Sequence, residues 1–343
     1  DGVMSVLLHL VRIVGNEFRG GVMESSGVWG LVCRRLQTLN SASDLSPNGL
    51  QLALQLVIQA VLCEGGGDGD EKGSVREGIR EGNRRAALML NSDLVPALCS
   101  VLKEESVSRI QKWPEEYGGG SEGVNRIVTL VTRVLLIPIE AATPPESGSG
   151  MASSAAGEMQ GRDLSKLENA LQAQGVVAKV VQALPLLNRT TLERAVVLLS
   201  RLVMLPGGHF ATQYVESGGL SKKLLHSLLD MSNRPGLIAD TLIIMSMLAR
   251  ASKDHYPAIH KADPYPLLLD LLQSSDDPMV RARVCNLVGN LCRHSDFFYS
   301  ALLSKGLIAE VIRCAADKDP NTRKFACFAL GNAAFHSADL YSA

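Results

Sequence analysis

The stretch DPMVRARVCNLVGNLC, residues 277–292, decides the fold because its pattern occurs a second time further along the chain. The recurring residues are Asp277, Pro278, Arg281, Cys285, Gly289, Asn290 and His294, which match Asp319, Pro320, Arg323, Cys327, Gly331, Asn332 and His336. Each of these seven pairs is separated by 42 residues. A constant offset over so many positions indicates an internal structural repeat.

Each copy has the sequence features of an α-helix. The Asp-Pro pair marks a helix start, because a proline in the first helical turn loses no hydrogen bond that the helix needs. Apolar residues then follow at helical spacing: Val280, Val284, Leu287, Val288 and Leu291 in one copy, and Phe325, Phe328, Ala329 and Ala333 in the other. We expect Gly289 and Gly331 to let neighbouring helices approach closely. A helical period of about 42 residues is typical of HEAT and armadillo solenoids.

From Arg162 onward the sequence divides into groups of a short, a middle and a longer third helix. A residue suited to a turn precedes each middle helix, at Gly175, Gly219, Asp263 and Gly306. Three helices per repeat is the armadillo arrangement, whereas HEAT units have two. The sequence therefore predicts an all-α, right-handed armadillo (ARM/HEAT-like) α-solenoid of about six three-helix repeats with a partial repeat at each end. Residues 1–343 would form one array, a fragment of a longer chain.

Three segments interrupt the helical pattern. Residues 64–78 and 138–161 are rich in glycine, serine and charge or proline, and residues 103–123 contain a Trp-Pro pair and three successive glycines. Such compositions bury little apolar surface, so we expect flexible insertions at all three places. Asp68 and Asp70 resemble the start of a calcium loop, but Ile79 stands where a carboxylate ligand is needed.

The composition argues against several classes of function. The formal net charge of −1 provides no overall basic field for nucleic acid. No apolar run is long enough for a membrane span. The seven cysteines show no metal-binding spacing and fall mostly in apolar helical stripes, which indicates reduced, buried thiols of a cytoplasmic protein.

The ending Gly331-Asn332-Ala333-Ala334-Phe335-His336, together with residues 289–294 and 319–330, resembles the C-terminal armadillo region of Fused-type serine/threonine kinases. The resemblance covers about the last 70 residues. It implies a chain whose kinase domain precedes these repeats, with roles in cytokinesis, signalling or motile-cilium assembly and a cytoskeletal or ciliary location. None of the kinase catalytic motifs occurs in these 343 residues.

One column of residues on the third helices is the candidate partner-binding groove. Aligning these helices gives the column Gln59, Arg133, Arg201, Met247, Asn290 and Asn332. Asparagine amides can hold the backbone of an extended peptide, and the two arginines favour a partly acidic partner. Asn290 and Asn332 could equally tie neighbouring helical turns together. Tryptophans that nuclear-import armadillo proteins place beside such asparagines are absent, which argues against a basic signal peptide as ligand.

We therefore expect a protein-interaction scaffold with no catalytic residue, cofactor, metal or small-molecule substrate in this segment. Arg133, Arg201, Asn290 and Asn332 are the predicted binding residues. Arg281 and Arg323 are interpreted as parts of ion pairs between repeats. Two alternatives remain open: repeats that only stabilise a catalytic chain whose active site lies elsewhere, and a generic armadillo adaptor with no kinase attached.

Overall fold

The computed structural model describes residues 46–63, 75–91, 93–142 and 162–336, together with Gly2, Ser5 and Leu36. These ranges contain α-helices and short 3-10 helices but no β-strand. The α-helices are α1 Pro47–Cys63, α2 Val75–Asn91, α3 Leu94–Val101, α4 Glu104–Lys112, α5 Gly120–Ala142, α6 Arg162–Ala173, α7 Val176–Ala183, α8 Arg189–Met204, α9 His209–Glu216, α10 Lys222–Leu228, α11 Pro235–Ala251, α12 Tyr256–Lys261, α13 Tyr265–Ser274, α14 Pro278–Leu291, α15 Tyr299–Ser304, α16 Leu307–Cys314 and α17 Pro320–His336. The prediction of an all-α armadillo solenoid is confirmed.

The chain divides into two compact units, residues 1–198 and 199–343. In the first unit, α5 packs against both α1 and α2, and α2 also packs against α6. In the second unit, the long helices α11, α14 and α17 pack in sequence, each on the next, while α13 packs on α16. The second unit therefore contains stacked third helices with shorter first and second helices beside them.

The Asp-Pro pairs start helices as the sequence predicts. Asp277 is the N-cap of α14, and its side chain accepts a hydrogen bond from the main-chain nitrogen of Met279 at 2.8 Å. Asp319 accepts from the main-chain nitrogen of Thr322 at 2.7 Å at the start of α17. In each case the carboxylate satisfies a main-chain N–H that has no partner within the helix.

The turn before each second helix contains a residue in the left-handed conformation. Gly175, Asp263 and Gly306 have φ of 60°, 51° and 76°. The position predicted at Gly219 is shifted by one residue, because Gly218 rather than Gly219 has the positive φ, of 80°. Asp93 and Asp263 are the non-glycine residues with positive φ within the described ranges. Aspartate tolerates this conformation better than most residues, so it can replace glycine here.

The prediction of a flexible insertion at residues 103–123 is wrong. Residues 104–112 form α4, whose Val107 and Ile110 are buried, and α5 already begins at Gly120. The glycines form a tight turn: Gly118 has φ of 83°, and a side chain at Gly119 would collide with the main-chain oxygen of Trp113. Glycine is required there for close packing, which composition alone does not distinguish from flexibility.

The other two predicted insertions fall mostly outside the described residues. Residues 64–74 and 143–161 lie outside them, as do Asp68 and Asp70. The flanking parts are helical, because α2 begins at Val75 and α5 continues through Pro138 to Ala142. The Oδ1 atom of Asn83 on α2 accepts hydrogen bonds from the main-chain nitrogens of Asp163 and Leu164, at 3.1 and 3.2 Å. The start of α6 is therefore fixed to α2.

Candidate functional site

The third helices of the second unit share one solvent-reaching face, called here the third-helix face. Its positions are spaced by four, three and four residues in each helix, so they lie on one side of it. The face consists of Gly236, Asp240, Ile243 and Met247 on α11, Met279, Arg283, Asn286 and Asn290 on α14, and Asn321, Phe325, Phe328 and Asn332 on α17. All of them are at least partly exposed except Asn290, which is buried.

The two predicted asparagines lie on adjacent packed helices, but their amides have different surroundings. Asn332 Nδ2 donates a 2.8 Å hydrogen bond to the main-chain oxygen of Gly289, which connects α17 to α14. Asn290 Nδ2 donates to Oδ1 of Asn286, 2.7 Å away on the same helix. The bond of Asn332 supports the alternative in which this residue ties helices together.

The two predicted arginines belong to different units. Arg133 is exposed on α5 in the first unit. Arg201 is half-buried on α8, in the part that belongs to the second unit, and its Nη1 lies 3.8 Å from Sδ of Met204. Of the predicted residues, the structure brings Asn290 and Asn332 together on neighbouring helices.

Asn286 is a candidate binding residue that the sequence reasoning missed. It is half-buried and accepts the hydrogen bond of Asn290. This pairing uses one donor of Asn290 and one acceptor of Asn286, so the pair keeps an NH₂ group and a carbonyl oxygen for a ligand. One NH₂ group and one carbonyl oxygen also remain if the nitrogen and oxygen positions of both side-chain amides are exchanged. The sequence could have identified Asn286 because it lies four residues before Asn290 on one helix, a spacing that makes their side chains neighbours.

The aromatic ring of Phe328 lies next to this asparagine pair. A methyl group added at Gly289 would lie 2.5 Å from Cε1 of Phe328, so the ring packs directly on the helix backbone there. Gly289 shares a helical face with Asn286 and Asn290. Phe328 remains 37% exposed. An apolar surface therefore borders a donor and an acceptor.

The third helices of the second unit are basic although the whole chain is nearly neutral. Asp240 is their one acidic residue, and its Oδ1 accepts a 2.6 Å hydrogen bond from the hydroxyl of Ser200. The basic residues of these helices, counted from residue 199 onward, are Arg201, Arg250, Arg281, Arg283, Arg323 and Lys324. Arg281 among them is paired with Asp317, which lies outside these helices, so the excess of basic residues within the helices is larger than the excess of charge around them.

Arg281 forms the predicted ion pair between repeats, with a partner the sequence did not indicate. Its Nε lies 2.8 Å from Oδ2 of Asp317 and its Nη2 lies 3.1 Å from Oδ1 of Asp317. This bidentate hydrogen bond from Arg281 lowers the pKa of Asp317 below its usual value. Arg323 instead donates to the main-chain oxygens of Asp317 and Lys318, both at 2.8 Å.

Two titratable groups have raised pKa values because their side chains are buried. Burial raises the pKa of Glu168 to about 7 and that of Cys99 to about 11.

Cys99, Cys285, Cys292 and Cys314 are buried free thiols as predicted, but Cys327 is exposed, because no described helix covers its side of α17. Within the described ranges, no three His, Cys, Asp or Glu residues are grouped to hold a metal ion.

No helix among the described residues is both long and apolar enough to cross a membrane.

Comparisons with known proteins identify relatives of this chain. No protein-family model matches it. It is 32% identical over 231 residues to Serine/threonine-protein kinase TIO of Arabidopsis thaliana, which covers 61% of this chain and 17% of the relative. It is 33% identical over 153 residues to Serine/threonine-protein kinase 36 of Mus musculus, which covers 42% of this chain and 12% of the relative. The chain thus spans less than a fifth of the length of these curated relatives.

Solved structures with a similar fold are designed armadillo repeat proteins. One, in complex with the peptide (KR)4, has a TM-score of 0.59 and 15% sequence identity, covering 88% of this chain and 99% of that one. Another, computationally designed for modular peptide recognition, has a TM-score of 0.60, 14% identity and the same coverage. At this identity the likeness concerns the fold. The chain is therefore an armadillo-repeat region homologous to part of the Fused-type serine/threonine kinases.

Proposed function

We propose that this chain is a non-catalytic protein-interaction scaffold whose third-helix face binds an extended, partly acidic segment of a partner protein. The observation that carries the proposal is the asparagine pair Asn286–Asn290 beside the half-exposed ring of Phe328. An extended peptide presents a main-chain N–H and a C=O at each residue, and the pair retains one acceptor and one donor for them.

The spacing of the helices suits such a ligand. Packed helices lie about 8 to 10 Å apart, and an extended chain advances about 3.3 Å per residue. One helix step along α11, α14 and α17 therefore corresponds to about three peptide residues. The designed armadillo proteins of the same fold support this mode, since one is in complex with a peptide and another was designed for modular peptide recognition.

Charge selects the kind of segment. Arg283 lies on the same face as Asn286, and Arg201 precedes it on α8. These groups favour aspartate or glutamate in the ligand, whereas the peptide bound by the designed protein is basic, (KR)4. Arg133 is proposed as a binding residue of the first unit by itself, and Asn332 would contribute through the position of α17.

Homology suggests which kind of protein contains this scaffold. The relatives are serine/threonine-protein kinases, so we infer that the repeats belong to a kinase chain and position or restrain its catalytic domain. Roles in cytokinesis, signalling or cilium assembly, and a cytoplasmic, cytoskeletal or ciliary location, are part of this proposal. The alternative is an adaptor without a kinase. Kinase motifs in the natural chain upstream of Asp1 would favour the first possibility, and their absence the second.

The binding proposal can be tested with a displayed library of random 12-residue peptides selected on the immobilised chain. We expect enrichment of acidic sequences and at least tenfold weaker binding to the Arg283→Glu variant. Lys305→Glu is the matched control, because it makes the same charge change on an exposed residue outside the third helices. A selection that yields no binders, or basic binders, would overturn the proposal, as would equal losses in both variants.

A further inference from the structure

Two buried cysteine side chains of the second unit lie against each other. Cys285 is on α14 and Cys314 is the last residue of α16, and these two helices pack together. Cys285 is 0% exposed and Cys314 is 6% exposed. Their thiol groups are hydrogen-bonded to each other. Because the two residues are far apart in the sequence, the fold is what brings their sulfur atoms into contact.

The ion pair between Arg281 and Asp317 holds the same two segments in place. Arg281 lies one turn before Cys285 on α14, and Asp317 closely follows Cys314. Two hydrogen bonds, of 2.8 and 3.1 Å, join the guanidinium group of Arg281 to the carboxylate of Asp317. The thiols are thus positioned by a contact next to both of them. A disulfide joins sulfur atoms about 2.05 Å apart, so hydrogen-bonded thiols need only a small further approach to form one.

The packing of the repeats does not require cysteines at these two positions. The residues 43 positions earlier, one repeat before, are Leu242 and Leu271, which are 0% and 1% exposed. Ordinary apolar side chains therefore fill the equivalent places in the preceding repeat. A single buried cysteine commonly serves as a small apolar side chain, and Cys292 fits that description. Two thiols in contact can in addition react with each other.

The two thiols differ in reactivity. The hydrogen bond from Cys285 lowers the pKa of the Cys314 thiol. The same hydrogen bond raises the pKa of Cys285, and burial raises it further. Cys314 is also the one of the two that reaches solvent. Since the thiolate is the nucleophilic form of cysteine, Cys314 is the thiol that reacts first with a small oxidant, and Cys285 is the thiol that follows.

We propose that Cys285 and Cys314 form a redox-active dithiol site, which hydrogen peroxide converts into a disulfide between α14 and α16. The sulfur of Cys314 attacks one peroxide oxygen, the O–O bond breaks, and the other oxygen leaves as water with the proton of the Cys314 thiol. The sulfur of Cys285 then attacks the sulfur of the resulting sulfenic acid. The S–O bond breaks, and the hydroxyl group leaves as water with the proton of the Cys285 thiol. The two thiols lose two electrons in total, which the peroxide takes up.

Peptide mass spectrometry tests the site directly. The folded chain is treated with hydrogen peroxide, its remaining thiols are blocked with iodoacetamide in urea, and it is digested with trypsin without reduction. We expect residues 284–293 to be linked to residues 314–318, in a product two hydrogen atoms lighter than the separate peptides together. The first peptide also contains Cys292, so fragmentation between its two cysteines locates the bond.

The rate of oxidation gives a second measure. We expect the thiols of Cys285 and Cys314 to disappear together, at least tenfold faster than the buried thiol of Cys292. A disulfide that involves Cys292 or Cys327 instead would overturn the proposal. Conversion of Cys314 to a sulfinic acid without a disulfide would overturn it as well, since Cys285 would then not react with the sulfenic acid.

Alanine variants test the order of the two steps, with dimedone as a trap for sulfenic acid. In Cys285→Ala we expect dimedone to label Cys314, because no second thiol removes the sulfenic acid. In Cys314→Ala we expect at least tenfold less labelling of Cys285, which is 0% exposed. Equal labelling of the two variants would overturn the assigned order.

Cys292→Ala is the matched control for these variants, because it removes a buried thiol of α14's C-terminal end that lies outside the pair. The disulfide between Cys285 and Cys314 should form in this variant at the rate of the natural sequence. Circular dichroism before oxidation would establish that each variant retains its helices. Loss of the disulfide in a folded Cys292→Ala variant would contradict the proposed pairing.

Discussion

Asn332 Nδ2 on α17 donates a 2.8 Å hydrogen bond to the main-chain oxygen of Gly289 on α14. The bond is possible because Gly289 lacks a side chain and the ring of Phe328 rests against its backbone. The recurring Gly-Asn pair thus has two linked structural roles. The glycine permits close approach of the next helix, and the asparagine of that helix reaches back to the preceding repeat.

The close approach at Gly289 predicts a difference between two equivalent glycines. Gly289→Val and Gly331→Val introduce the same side chain at matching helix positions, so the change in helix propensity cancels between them. We expect Gly289→Val to lower the free energy of unfolding by about 1–3 kcal/mol more than Gly331→Val, because the added atoms displace Phe328. Urea unfolding of residues 1–343 measures the difference. Equal values for both variants would mean that α17 does not pack closely at Gly289.

Asn332 connects α17 to α14 through its hydrogen bond to Gly289. We therefore expect its replacement to lower stability while the hydrogen bond between Asn286 and Asn290 stays in place. Asn332→Ala should lower the free energy of unfolding by about 1 kcal/mol, the usual net value of such a bond. Asn321→Ala is a suitable control, because Asn321 is exposed in the first turn of the same helix. Urea unfolding of both variants provides the test. A stability loss in the control but not in Asn332→Ala would contradict this role.

The stability of the N-terminus of α6 should depend on Asn83, a residue far away in the sequence. Asn83 Oδ1 accepts hydrogen bonds from the first main-chain nitrogens of α6 and so acts as a cap supplied by another helix. Asn83→Ala should cost about 0.5–2 kcal/mol, and Asn83→Asp should retain most of the stability because it keeps the acceptor. Hydrogen exchange at Asp163 and Leu164 would locate the effect. Unchanged exchange in Asn83→Ala would show that the cap is unimportant.

The ion pair of Arg281 and Asp317 predicts a stability change at acid pH. The arginine lowers the pKa of Asp317 in the folded state, so the unfolded state binds more protons at low pH. The stabilisation is complete above the unfolded pKa of about 3.9 and is lost as the pH falls through the lower folded pKa. Asp317→Asn should therefore be less stable than the natural sequence by about 1–3 kcal/mol at pH 7, with a gap that narrows below about pH 4.

Urea unfolding from pH 3 to pH 7 measures that gap. Lys166→Gln is the control, since it removes the 2.9 Å pair with Asp163, in which the lysine side chain is 53% exposed. An exposed pair of this kind contributes about 0–1 kcal/mol. A gap for Asp317→Asn that does not depend on pH would contradict the assignment.

The sequence predicted the fold best where the 42-residue pattern is strong. Local residue chemistry and a fixed period are enough to predict two features of this region. These are the helix N-termini at Asp277 and Asp319 and the alignment of Asn290 with Asn332. The turn at residues 118–120 was missed because a glycine needed for close packing and a glycine in a flexible segment look the same in sequence. Trp113, which makes that glycine necessary, reveals its role only through its position in space.

The binding residues were less predictable than the helices. The column of Asn290 and Asn332 was identified from periodicity, but periodicity does not show which polar atoms a neighbouring helix already uses. Asn332 uses its amide on Gly289, whereas Asn286, one turn before Asn290, had no counterpart in the next repeat, where Phe328 stands. The hydrogen bonds therefore favour Asn286 over Asn332 as the binding residue.

The most direct test of the proposed function is the affinity of an acidic peptide, selected on the natural chain and labelled with fluorescein, for the Asn286→Ala variant. Asn286→Ala removes the acceptor of the hydrogen bond from Asn290, so we expect the variant to stay folded with a melting temperature lowered by only about 2–4 °C. Gln182→Ala, at an exposed position on α7, is the matched amide control. Fluorescence anisotropy should give a Kd at least tenfold higher for Asn286→Ala and unchanged for Gln182→Ala. An unchanged Kd for a folded Asn286→Ala variant would contradict binding at the third-helix face.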